Sequence, residues 1–354
     1  MDTDNVIVNL TSSPSSRPYA EVFTWTYNVL CPGWPLIILF GLLANLTNIV
    51  VFLKAGLKDN VTILLLCLSV SDMIFLILIA PSACTYVIRY FYRDWPWPFD
   101  IGFVDKLLYW PAMSCYDFSS YISVWLGVTR CACVAMPLQF KFVFTKARTV
   151  KAIMVLFLLV VPLRAPAMST FKIARGIDPR TNQSSLYLAR QNSVAINRFN
   201  DILNRTLLPW ISFVIMIACV CIIKLKLYQA SLVRRSHSST SQTMKAVNDV
   251  GERSSRDDRV IHSVVLICCI FIASLLPFLV YSSVRLIYPE FDTTGRLQYL
   301  FFAFGGISRT CAYLNPSVNI FVYYKYNSKY RAILLSIRKS KPILNSQLRN
   351  SSEM

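Results

Sequence analysis

Seven apolar stretches dominate the chain, at about residues 34–53, 61–87, 110–137, 149–168, 204–227, 259–287 and 297–324. Roughly 20 apolar residues are enough for a helix to cross the hydrocarbon of a bilayer. In lipid every backbone N–H and C=O must be paired within the protein, which leaves helices or a closed barrel. A barrel would read as short alternating segments, and these runs do not alternate. The expected fold class is an all-α membrane protein, a seven-helix bundle. With 55% hydrophobic and 15% charged residues, the chain also lacks the roughly one-quarter charged content of a soluble domain.

The net charge of +18 would suggest a nucleic-acid partner in a soluble protein. Here membrane topology accounts for it, and no nucleic acid is expected. Lys and Arg concentrate in four segments of one side: Lys54 to Lys58, Lys141 to Lys151, Lys224 to Arg259, and Lys325 to Arg349. The positive-inside rule assigns that side to the cytoplasm. The N-terminus is then outside and the C-terminus inside, as expected of a multi-pass plasma-membrane protein. The sequons at Asn9 and Asn182 fall outside and are candidate glycosylation sites. Those at Asn45 and Asn60 lie in a span and at an inner edge, and read as chance.

Four parts follow. Residues 1–31 are an extracellular tail, polar and flexible. Residues 32–326 are the membrane domain, whose first span serves as insertion signal in the absence of a signal-peptide pattern. Residues 327–340 place Tyr330, Ile333, Leu334 and Ile337 opposite Lys329, Arg331 and Arg338, the pattern of a helix lying on membrane lipid. Residues 341–354 are a polar tail. Two stretches read as unstructured loops: the polar one from Ser169 to Asp201, and the Ser/Thr/Lys/Arg-rich one from Tyr228 to Asp258. Most of the eleven Cys lie inside apolar runs, where they act as small hydrophobes. No metal-ligand spacing appears, so no metal cluster is expected.

Charges at bilayer depth are costly and mark candidate sites. The third run holds Asp117 and Arg130, and Asp117 is expected to pair with Arg164 of the fourth. Arg309 in the seventh, with the basic loop before the fifth, suggests a cationic pocket for an anionic ligand. Its alternative is pairing with Asp105, Asp292 or a lipid headgroup. Ala112, Met113 and Tyr116 complete the candidate ligand-binding set. Asp72 in the second run, with Ser119, Asn315, Asn319 and Asn45, reads as a polar core suited to a sodium ion or proton. A purely structural hydrogen-bonded cluster fits the same residues. No other cofactor is expected. Arg130, at the inner end, is expected to latch onto Asp257 or Asp258; its alternative is to snorkel to the interface.

These features together resemble the rhodopsin-like G-protein-coupled receptors over about residues 34–340. Gly41 to Asn45, the run ending at Asp72, Thr129-Arg130-Cys131 with Pro137, Phe271 to Pro277, Asn319 to Tyr323, and Tyr330-Arg331 stand in the order of that family's motifs. Within it, the segments around Asn45, Lys58 and Tyr323 look closest to invertebrate FMRFamide-like peptide receptors and to molluscan receptors classed as chemosensory. The resemblance implies a receptor, not an enzyme. Its partners would be an extracellular ligand, either a neuropeptide or a small chemosensory cue, and a heterotrimeric G protein. It also implies switch roles for Arg130 and Tyr323. A secondary transporter or channel is the alternative of a different class.

Departures from the family pattern are specific. Thr129 replaces the acid beside Arg130, Leu275 the sixth-helix Trp, and Ile320 the Pro after Asn319, with Pro316 four residues earlier. Ile217 stands where a fifth-helix Tyr is usual. Asp105 replaces the outer cysteine of the third helix, and residues 169–201 contain no cysteine, so the family's disulfide cannot form; Cys31 and Cys84 are placed to pair instead. No Lys lies between Gly305 and Tyr324, which argues against retinal attachment.

Overall fold

A computed structural model describes residues 19–91, 102–177, 184–190, 193–238 and 246–337. The long elements are α1 (Ala20–Ala55), α2 (Asn60–Phe91) and α3 (Gly102–Ala135). After a short α4 (Pro137–Val143) come α5 (Lys146–Met168), strands β1 (Phe171–Ile177) and β2 (Ser184–Arg190), and α6 (Val194–Phe199). A π-helical segment, Asn200–Leu207, runs directly into α7 (Leu208–Ser238). The chain continues through α8 (Ala246–Ile287) and α9 (Gln298–Tyr326) to α10 over residues 328–337. Six helices among the described residues are long and apolar enough to cross a membrane. The other long one, α9, is less apolar because it buries Ser308, Ser317 and Asn319 on its inner face. With it the bundle has the seven long helices that the apolar runs require.

The bundle is built for an apolar solvent. Leu36, Leu39, Leu43, Leu158 and Phe321 are exposed, while Asn45, Asn48, Asp72, Ser119, Arg164 and Asn319 are buried. In lipid, exposed leucine costs nothing, whereas a polar group must find a partner inside. Interhelical hydrogen bonds supply those partners. Trp34 Nε1 donates to Thr310 at 2.8 Å, Asn45 Nδ2 to the Pro316 carbonyl at 3.1 Å, and Ser71 to the Cys115 carbonyl at 2.9 Å. At Gly41 the helices approach so closely that a Cβ would touch Ser317 Oγ and come within 2.7 Å of Leu76.

Several boundaries differ from the sequence reading. The first helix starts fourteen residues early: Ala20–Leu30, expected in a flexible tail, is helical and leads through a 3-10 turn at Cys31–Gly33 into Trp34–Ala55. Ala20, Phe23 and Thr26 are buried there, and Phe23 meets Tyr299 and Phe302 of α9. This aromatic face gives the segment something to pack on. The loop from 169 contains an antiparallel hairpin, with Phe171 opposite Arg190 and Ile177 opposite Ser184. α7 and α8 extend to Ser238 and from Ala246, into the segment read as structureless. Propagating an existing helix needs no core of its own, because the costly nucleus is already formed. Cys31 and Cys84 are both free thiols, so the pairing expected of them is not made.

Candidate functional site

A cavity of about 130 Å³ lies at the hairpin end of the bundle, between α2, α3, α5, the π segment, α8 and α9. Its floor is apolar, formed by Phe75, Phe271, Leu275 and Tyr313, and charged side chains line its walls: Asp105, Asp117, Arg164, Arg205 and Arg309. Met113 and Tyr116 also line it. Ala112 does not. It is fully buried in the apolar cluster with Trp34 and Phe75, because the adjacent residue on a helix faces about 100° away from Met113.

Arg164 organises one wall. It is 4% exposed, and its Nε donates to Asp117 at 2.6 Å. The other guanidinium nitrogens reach Asn200 Oδ1 at 3.3 Å and the Asn204 carbonyl at 3.5 Å. Asn204 Nδ2 in turn donates to the Leu163 carbonyl at 3.0 Å. One arginine thus joins α3, α5 and the π segment. The extra residue per turn of a π helix re-aims side chains, and here both Asn200 and Asn204 are buried against α5.

A second charged set lies beside it. Asp201 accepts from Arg205 and from Arg285, each at 3.3 Å, and Arg285 also binds Asp292 at 3.2 Å. Arg205 further donates to the Tyr109 hydroxyl at 3.5 Å. Asp292 was one expected partner of Arg309, and the structure gives it to Arg285 instead. Sequence reasoning missed Tyr109, Asn200, Asp201, Asn204, Arg205 and Arg285. The available signal was the i,i+4 spacing of Asn200 with Asn204 and of Asp201 with Arg205, which puts each pair on one face of a helix.

Below the cavity floor Asp72 gathers polar side chains of α3 and α9. Ser119 donates to Asp72 Oδ1, and Asn319 Nδ2 donates to Asp72 Oδ2 at 3.3 Å. Asp72 is 3% exposed. Asn45 of α1 contacts α9: its amide donates to the Pro316 carbonyl, about one turn from Asn319. Asn315 is half-buried and makes no hydrogen bond to Asp72. The side-chain oxygens of Asn45 and Asn319 are buried without hydrogen-bond partners. Two orphaned oxygens, a carboxylate and a hydroxyl are the donor chemistry a hard cation takes.

At the far end Arg130 is half-buried near the close of α3, and the neighbouring Thr129 turns its hydroxyl back to the Leu126 carbonyl at 2.8 Å. The side chains of Asp257 and Asp258, the expected latch, lie outside the described residues, as do Asn9 and Asn182. Tyr323 is 1% exposed, packed on Phe52 and Tyr330, with its hydroxyl buried and without a partner. Tyr330 of α10 donates to Asn48 Oδ1 at 2.6 Å, tying that helix to α1.

Residues 44–323 match the model of a family described as 7 transmembrane receptor (rhodopsin family). No curated protein is similar enough to count as a relative.

Proposed function

The chain belongs to the rhodopsin family of seven-transmembrane receptors, and from that premise we propose that it binds an extracellular ligand in the hairpin-end cavity and activates a heterotrimeric G protein at the opposite end. The observation that carries this is continuity. Phe75 and Tyr313 touch the cavity and pack on each other at 6.2 Å between ring centroids, and Phe271 and Leu275 form its floor on α8. The Asp72–Ser119–Asn319 network sits directly within the same α2, α3 and α9 helices. A ligand that prefers one arrangement of these helices shifts the population of the other end by its differential affinity.

The hairpin end is extracellular in this reading and the Arg130 end cytoplasmic. Arg130, Tyr323 and Asp257 take the switch roles, and Asn9 and Asn182 carry glycans. Asp72, Ser119 and Asn319 would hold a sodium ion, which supplies a positive charge at the centre of the bundle and favours the arrangement that keeps these three together. Between a neuropeptide and a small chemosensory cue, the modest cavity volume favours the small cue. The test is a G-protein-activation screen in transfected cells, with amidated peptides and small waterborne compounds side by side. Basal nucleotide exchange above that of mock cells, abolished by Arg130→Ala, is the expected minimum. Solute flux in proteoliposomes without any nucleotide exchange would replace this reading with a transporter.

A further inference from the structure

Resting on the receptor reading, we infer that the cavity takes a small amphoteric ligand, one with an anionic group and a cationic or N–H group a few bonds apart, of the size and charge pattern of an amino acid. The charges on the wall do not form one uniform field. Arg164 and Asp117 neutralise each other at 2.6 Å. Arg205 and Arg309 both line the cavity, from the π segment and from α9. Arg205 shares Asp201 with Arg285, at 3.3 Å each, so that carboxylate's charge is divided between two guanidinium groups. Arg205 and Arg309 are suited to an anion, which planar guanidinium groups recognise well.

The same cavity also presents an acid and a hydroxyl. Asp105 lines the cavity with Oδ1 buried and without a hydrogen-bond partner. Ser308 is 6% exposed, lines the same cavity, and its hydroxyl also lacks a partner. Buried polar atoms left unpaired are expensive and call for an explanation. A simple anion would leave the Asp105 oxygen stranded. A simple amine would satisfy Asp105 and meet Arg205 and Arg309 as like charges. A ligand bearing both groups pairs with the arginines and with Asp105 together, and its remainder rests on Phe75, Phe271 and Leu275. At about 130 Å³, the cavity is smaller than the roughly 300–1,000 Å³ of sites for drug-sized molecules.

The probes are L-phenylalanine and L-leucine, their deaminated analogues 3-phenylpropanoate and 4-methylpentanoate, and their decarboxylated analogues 2-phenylethylamine and isopentylamine. Binding is read as the shift in unfolding temperature of the purified full chain, which does not depend on coupling. At least one amino acid is expected to stabilise the protein at millimolar concentration, with both of its analogues weaker by tenfold or more. Asp105→Asn should bring the amino acid down to the level of its deaminated analogue, and Arg309→Gln to that of the amine. Ser308→Ala, a smaller change should either charge variant fail to fold, should weaken the amino acid at least threefold. No stabilisation by either amino acid, or an analogue binding within threefold of its parent, overturns the inference. The receptor reading stands or falls separately, on ligand-independent nucleotide exchange and its loss in Arg130→Ala.

Discussion

Arg164→Ala strands a largely buried carboxylate on the cavity wall. Asp117 would lose the donor at 2.6 Å, and Asn200 and the Asn204 carbonyl would lose theirs at 3.3 and 3.5 Å. The two longer contacts lie beyond the usual N–H···O range and contribute little. The charge pair dominates. Removing one partner of a buried ion pair costs about 3–5 kcal/mol, mostly because the survivor stays buried and unpaired. For a chain of this size each kcal/mol lowers the unfolding temperature by about 2 °C, so a fall of roughly 6–10 °C is expected. The assay is thermal unfolding of the detergent-purified protein, followed with a thiol-reactive dye at its buried cysteines. The companion is the apolar pair Asp117→Leu with Arg164→Met. Replacing both partners by hydrophobic groups of similar volume is often neutral, so the double variant should recover most of the loss. If it is as unstable as Arg164→Ala, or if Arg164→Ala stays within 2 °C of the parent, Arg164 is not the tie between α3, α5 and the π segment.

Other consequences are independent of that pair. Gly41→Ala places a methyl against Ser317 Oγ and within 2.7 Å of Leu76; overpacking of this kind costs about 1–3 kcal/mol, read as a lower unfolding temperature and reduced folded yield. Tyr330→Phe removes the 2.6 Å bond to Asn48, a loss of about 1 kcal/mol, and should raise proteolysis at α10 while leaving ligand-induced stabilisation in place. Sodium chloride should stabilise the parent more than an equal concentration of choline chloride, and Asp72→Asn should abolish the difference, since it removes the only carboxylate of the Asp72–Ser119–Asn319 group. Equal salt effects in parent and variant would remove sodium from the account.

Much of the bundle was legible because its signal is coarse. A 20-residue apolar run carries its meaning without reference to its neighbours. The Asp72–Ser119–Asn319 group and the Asp117–Arg164 pair were legible for a related reason: a polar group at bilayer depth needs a partner, and the chain offers few. Ala112 was misplaced because an apolar run does not say which of two adjacent residues faces the cavity. The helix at Ala20–Leu30 and the hairpin at Phe171–Arg190 were missed because both have mixed local sequences and are stabilised by what they pack against.

Residue order alone determined the class of solvent and the number of long helices, since these follow from hydropathy and length. Tertiary structure decided how the charges are shared. Asp292 goes to Arg285 and not to Arg309, Asp201 serves two arginines, and Asn200 and Asn204 reach Arg164 only because the segment Asn200–Leu207 winds as a π helix. Pairing energies depend on distances of a few ångströms between helices remote in sequence, and only the packed bundle sets those distances.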